Sequence, residues 1–318
     1  MLCAFSIIMV YALSGLRRLN ASVKWFDFPG FCDILKLIMY SKILAAVNEH
    51  LNSEISARYA LKLAKACGAK FYLVFIAEKG LSQPEFNRAE DAMKRLFIEA
   101  EKMDIRAESI TETGEPAKEI GKIVKHEKVN IVFASTRRED VKRRFYAGTI
   151  ARRLSLDLPC SVALVRVVHM GKIHPRNILV PLKARIDHVK ERAYFTAKMA
   201  ECCGSKVFVF HTTKPITKFF HGEIHLTPFE WERRLPHDIA GFMEYLEKYS
   251  IEHEGRLLPG KTARSITMEA AARRHDLIIM GASERSLLSS VLSGNPVEEV
   301  LRETPCDLII LKPRHEDK

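Results

Sequence analysis

The chain repeats itself. "KILAAVNEH" at Lys42 matches "NILVPLKAR" at Asn177, an offset of 135 residues, and Gly68 matches Gly204 at 136. Farther along, Gly114 with Gly260, Gly148 with Gly294, and Pro159-Cys160 with Pro305-Cys306 all keep an offset of 146. A constant spacing across three landmarks is the mark of a duplicated unit, so whatever the first copy folds into, the second must fold into as well. The second copy carries its extra residues between Gly204 and Gly260, in the stretch Lys214–Pro236, whose aromatics and prolines read as a long surface loop or irregular lid.

Within each copy, short apolar runs alternate with helical periodicity. In the first copy the strands are predicted at Ile43–Val47, Phe71–Ile76, Ala107–Thr111, Ile131–Ala134 and Val162–Val165. Between the first two, Ala57, Ala60, Leu61 and Ala64 recur at helical spacing, with Ser53 placed to cap the helix and Gly68 to end it. Ala89, Met93, Leu96, Ala100 and Met103 form a second stripe. Pro116 suits the first turn of a third helix, and a fourth begins near Gly148. The second copy gives the same order, with strands at Ile178–Leu182, Val207–Phe210, Gly255–Leu258, Leu277–Met280 and Leu308–Leu311. Strands that are apolar on both faces belong in a parallel sheet covered by helices. The fold class is therefore α/β, as two tandem Rossmann-like domains over residues 39–168 and 172–318.

Residues 1–38 stand outside this plan. Leu2 to Leu13 is mostly apolar, but it is shorter than the 20 or so residues that span a bilayer. It also lacks the basic start and small-residue cleavage site of a signal peptide. The segment reads as an over-long gene start before a natural Met39, with a membrane-surface helix as the rival. Seven cysteines without a CxxC pair, in apolar surroundings such as those of Cys67, Cys160 and Cys306, read as buried reduced thiols of a cytoplasmic protein. The net charge of +11 favours an anionic partner.

The same residues resemble the universal stress protein family, twice over. The resemblance rests on "ILAAVNEHLNSEISARYALKLAKACGAKFYLVFIAE" and "TGEPAKEIGKIVKHEKVNIVFAS" in the first copy, and on "MGASERSLLSSVLSGNPVEEVLRETPCDLIIL" in the second. That last stretch is similar to the stress-protein domains fused to some membrane transporters. The resemblance implies an adenine nucleotide alpha hydrolase-like fold, with five parallel strands per domain in the order 3-2-1-4-5 and helices on both faces. It also implies, for nucleotide-binding members, the pattern Gly, two residues, Gly, nine residues, Gly, then Ser or Thr after the fourth strand, and an Asp ending the first.

Both copies depart from that pattern. In the second, Gly281 and Gly294 hold two glycine positions, but Glu284 replaces the middle glycine and Asn295 the Ser or Thr. A carboxylate about 5 Å from a phosphate charge costs roughly 3 kcal/mol at an effective dielectric near 20. A micromolar ligand has only about 8 kcal/mol in all, so the second site reads as degenerate. In the first copy Ser135 and Arg138 stand at the first two glycine positions and Gly148-Thr149 match the end. Arg137, Arg138, Lys142, Arg143 and Arg144 crowd that loop, and guanidinium groups suit phosphate. Amides at Gly148, Thr149 and Ile150 would meet an anion at a helix N-terminus. Asn48 replaces the Asp and accepts without charge. The resemblance thus implies a first-copy site of Val47, Asn48, Ile76, Ser135, Arg137, Arg138, Gly148, Thr149 and Ile150, taking ATP or another adenine nucleotide and no metal of the protein's own.

Other groups carry less. His221 and His225 share no helical pattern and read as loop histidines, with His211 at a strand end. No nucleophile elbow or Walker loop is present, so no catalysis is expected beyond weak ATP hydrolysis. Only Phe145 and Tyr146 accompany the basic run, too few aromatics for nucleic-acid stacking. The expected role is a non-catalytic regulator that responds to an adenine nucleotide. The alternative is a nucleotide-independent interaction module, serving stress response or transporter regulation through a protein partner. Members of the family it resembles often pair through the fifth strand, so the resemblance implies that Ser161–Val165 and Asp307–Leu311 align within the chain as a pseudo-dimer, or between chains as a homodimer, as an exposed edge strand favours.

Overall fold

A computed structural model of the chain describes residues 39–136, 149–171, 173–213, 235–259, 262–282 and 296–314. Residues 1–38 and the insertion from 214 to 234 therefore lie outside the described residues, and the fold is that of the unit from Met39 onward.

The first half runs β1 (Lys42–Val47), α1 (Leu51–Cys67), β2 (Lys70–Ala77), α2 (Gln83–Lys102), β3 (Ala107–Thr113), α3 (Pro116–Glu127), β4 (Ile131–Ser135), α4 (Ile150–Asp157) and β5 (Ser161–Arg166). The second half repeats it with β6 (Asn177–Leu182), α5 (Val189–Cys203), β7 (Lys206–Thr213), α6 (His237–Lys248), β8 (His253–Pro259), α7 (Thr262–Ala272), β9 (Leu277–Gly281), α8 (Pro296–Glu303) and β10 (Asp307–Lys312).

The duplication extends to single hydrogen bonds. Lys70 N donates to Ser41 O and Lys206 N to Arg176 O, while Thr136 N donates to Val165 O and Ala282 N to Leu311 O. Asn130 Oδ1 accepts from Ser41 N and Lys42 N, and Asp276 Oδ2 accepts from the matching pair Arg176 N and Asn177 N. α1 and α5 both end on a glycine, Gly68 at φ 61° and Gly204 at φ 62°, where a Cβ would be strained.

All ten strands form one sheet in the order β3-β2-β1-β4-β5-β10-β9-β6-β7-β8. Each half is parallel inside and gives the order 3-2-1-4-5, as the resemblance implies. The halves meet where β5 and β10 run antiparallel, with Leu164 opposite Ile310, so the expected pairing of the two fifth strands is made within the chain. One face is covered by α1, α2, α5 and α6 around Phe71, Phe133, Phe195 and Phe242. The other is covered by α3, α4, α7 and α8 around Tyr72, Leu154, Ile266 and Val300.

The seam is reinforced across the chain. α1 of the first half packs on α5 of the second, Phe133 stacks on Phe195 with centroids 6.1 Å apart, and Tyr59 Oη donates to Asp307 at 2.8 Å. Asp307 also accepts from Val168 N and His169 N, which fastens the connecting segment. Tyr40 and Ser161 both donate to Glu191.

Two sequence expectations are corrected. The cap of α1 is His50, and Ser53 sits inside the first turn, its hydroxyl accepting from Asn48 N and donating to His50 O at 2.8 Å. Bonding back to nearby carbonyls is the competing use of a serine near a helix start, and here it holds the exit of β1. Cys160 and Cys306 are buried thiols, whereas Cys67 is only half-buried and accepts a contact from Tyr194 Oη.

His275 gives the fold an acid limit. It is 4% exposed, packs edge-on against Phe208 at 4.8 Å, and neither ring nitrogen has a partner among the described residues. Burial, with Arg256 and Arg273 nearby, pushes its pKa down to about 4. The unfolded chain takes this proton near pH 6.5 and the folded one only near 4, so its contribution is complete above 6.5 and lost as the pH falls through that window. His275→Leu should remove roughly 2 kcal/mol of that acid dependence, measured by urea denaturation at pH 7 and pH 4.5. An unchanged slope would place the loss on other groups.

Candidate functional site

β1 is the switch point of the first half, with β2 on one side and β4 on the other, so the loops leaving these strands part and open a cleft at their C-terminal ends. The cleft measures about 600 Å³. Val47, Asn48, Ile76, Ser135, Thr149 and Ile150 all line it. Arg137, Arg138 and Gly148 lie outside the described residues.

Each wall has a local cause. Val47 and Ile76 are buried strand ends that give an apolar floor, continued by Pro116 and Ile120 from α3. Asn48 follows β1 and its side-chain oxygen accepts from His50 N at 3.0 Å, which fixes the amide and leaves its NH2 group as a donor. Thr149 is the cap of α4, its hydroxyl accepting from Arg152 N at 3.2 Å. The amides of Ile150 and Ala151 open this helix, and such first amides have no acceptor within their own helix.

The charge of the cleft is uneven. Glu49, Glu78 and Glu85 line it on the β1 and β2 side, with Lys79 as the cation among the described lining. Glu49 pairs with His50 at 2.8 Å. Glu85 accepts from Ser82 N and Oγ in a capping box, which lowers its pKa, the hydroxyl bond first. The opposite flank, at α4, presents helix amides and a positive dipole end. Sequence reading missed the acidic flank. Its signal was the short run Glu78-Lys79-Gly80 after β2, which sits at the same switch point.

The second half opens a matching cleft of about 360 Å³, lined by Leu182, Lys183, Phe210, Met280 and Gly281 among others. Gly281 therefore stands where the repeat places it. Glu284, Gly294 and Asn295 lie outside the described residues. A guanidinium lies directly against the glycine: a Cβ built on Gly281 would fall 1.1 Å from Arg192 Nη1. Arg192 comes from α5, donates through Nε to Asp187 O at 2.7 Å and through Nη2 to Ala282 O at 3.2 Å, and burial lowers its pKa. His211 bonds Leu182 O through Nδ1 at 2.8 Å. His221 and His225 lie outside the described residues. Among the described residues no helix is long and apolar enough to cross a membrane.

A doubly wound α/β unit, duplicated and joined through its fifth strands, with a cleft at each switch point, is the class of protein these features define. The sequence profile of the universal stress protein family matches residues 39–166 and again 175–312. The chain belongs to that family. Among solved structures it is similar to a universal stress protein from Archaeoglobus fulgidus, with TM-score 0.59 and 17% identity over 88% of this chain and 100% of that one. It is similar to a functionally unknown protein from Pseudomonas aeruginosa, with TM-score 0.59 and 14% identity over 88% and 95%. The cytoplasmic domain of a prokaryotic cation chloride cotransporter matches with TM-score 0.54 and 10% identity over 87% and 97%. At such identities the likeness speaks for the fold. A search of curated proteins finds no match.

Proposed function

We propose that the chain is a non-catalytic regulatory protein whose first cleft takes an adenine nucleotide. The observation that carries this reading is that Val47, Asn48, Ile76, Ser135, Thr149 and Ile150, chosen from spacing and resemblance, line one hollow of about 600 Å³. That volume falls within the 300–1,000 Å³ or so typical of small-molecule sites.

The uneven charge supplies an orientation. Carboxylates accept hydrogen bonds, so the Glu49, Glu78 and Glu85 flank suits ribose hydroxyls and the adenine amino group. The anionic end then faces the Ile150 and Ala151 amides, with Arg137 and Arg138 following Ser135 and Thr136 in the chain. The apolar floor takes the purine. The partner that reads the bound state would be a protein, and nucleic acid and membrane surfaces play no part in this reading.

Titration calorimetry of the full chain with ATP and AMP tests it. Micromolar binding is expected, and Asn48→Leu should weaken it about tenfold, the worth of one or two hydrogen bonds. Affinity no better than millimolar in the wild type would overturn the reading.

A further inference from the structure

We propose that Cys202 and Cys203, at the C-terminal end of α5, form a dithiol site for a monosubstituted trivalent arsenical, R–As(OH)2. The duplication singles out the pair. Helix α1 ends in Ala66-Cys67 before Gly68, and α5 ends in Cys202-Cys203 before Gly204, so the second copy keeps the repeated cysteine and adds a thiol beside it. The two sulfurs face each other at 3.6 Å, and Cys202 also donates to Met199 O at 3.1 Å. Cys202 is half-buried and Cys203 is 4% exposed, so a reagent meets Cys202 first and Cys203 closes the ring behind it.

Geometry separates this ligand from the other fates of a thiol pair. Adjacent Cα atoms across a trans peptide stand about 3.8 Å apart, below the roughly 4.4–6.8 Å that a disulfide spans. A thiolate bond to a soft centre is about 2.3 Å long, so sulfurs 3.6 Å apart subtend roughly 100° at a shared atom. A pyramidal arsenic that already carries one organic substituent needs two such bonds and nothing more. A linear two-coordinate ion would hold the sulfurs about 4.6 Å apart, twice the bond length. A tetrahedral ion needs further donors, and among the described residues no group of three His, Cys, Asp or Glu side chains could hold a metal.

The hydrogen bond between the two thiols, with the Lys62 ammonium of α1 nearby, holds Cys203 below the ordinary thiol pKa, which favours an attacking thiolate. Each thiol replaces one hydroxyl of the arsenical. Two As–O bonds break, two As–S bonds form, and the hydroxyl groups leave as two waters carrying the thiol protons. Arsenic stays trivalent, so no oxidant or reductant takes part.

The proposal is independent of nucleotide binding in the first cleft. Intact-mass spectrometry of the full chain with phenylarsine oxide, which hydrates to the dihydroxy form, tests it. Cys3 and Cys32 lie outside the described residues, so the parent for the test is the Cys3→Ser/Cys32→Ser chain. One phenylarsenic unit per chain is expected, removed by dithiothreitol and resistant to the same thiol concentration of glutathione. Cys202→Ser and Cys203→Ser should each cost about 100-fold or more in affinity, since a single bond replaces a chelate. Cys67→Ser should leave binding unchanged. The release pattern is read on the parent chain, so it holds whether or not a variant folds. Release by glutathione as readily as by dithiothreitol would overturn the proposal. So would the absence of an adduct, full affinity in Cys202→Ser or Cys203→Ser, or loss of binding in Cys67→Ser.

Discussion

Ile309→Asp should cost about 5 kcal/mol or more and unfold both halves together. Ile309 sits in β10 opposite Val165 of β5, at the centre of a sheet of ten strands, and its side chain is 0% exposed. The change removes a buried aliphatic side chain, worth several kcal/mol, and puts a carboxylate into an apolar cluster with Val165 and Ile279. Whole domains are stable by only about 5–15 kcal/mol. Ile309→Val at the same place should cost no more than about 1.5 kcal/mol. Because β5 and β10 share hydrogen bonds and α1 packs on α5, heat or urea should give one cooperative transition for residues 39–318. Two separate transitions in the wild type would show that the seam is weaker than its burial implies.

Ser135→Trp should weaken adenine-nucleotide binding by at least 100-fold while leaving the fold in place. Ser135 ends β4, is only half-buried, and borders the first cleft beside Thr149 and Ile150. An indole there takes the space of the ligand and not of the core. Its backbone pairing with Val165 is kept, since that bond involves no side chain. Ser135→Gly is the companion variant. It restores the family's residue and should bind at least as well as the wild type, which separates loss of space from loss of a hydroxyl. If Ser135→Trp binds ATP normally, the nucleotide lies elsewhere.

The duplicated plan was legible because it is written in residues with strong local meaning. Gly68 and Gly204 both end helices at positive φ, a conformation that favours glycine, so the same residue marks the same place in each copy. The strands were legible because β1, β4, β5, β9 and β10 are apolar on both faces, as buried parallel strands must be. Several contacts had no local signal. Tyr59 meets Asp307, and Tyr40 meets Glu191, across most of a domain or more of sequence. Nothing near either residue in the chain points to its partner.

The first cleft was legible in its walls and illegible in its charge. Strand ends and helix caps follow from pattern, whereas Glu49 after β1 meets Glu78 after β2 and Glu85 in the first turn of α2 only in the folded sheet. Arg192 shows the same limit more sharply. It is one basic residue on a helix, and its meaning depends on the glycine at 281, which β9 brings alongside only in the folded sheet. Ser53 was read as a cap because its residue type suits that position. The chain instead starts the helix at Leu51 and uses the serine to tie down Asn48, the residue that turns out to border the cleft.

Calorimetry of ATP against the purified full chain, with Ser135→Trp and Arg192→Gln alongside, tests the reading of the first cleft most directly. The expected result is one nucleotide per chain at micromolar affinity, lost in Ser135→Trp and kept in Arg192→Gln. A wild-type chain with no affinity better than millimolar, or a Ser135→Trp chain that binds as well as the wild type, would contradict it.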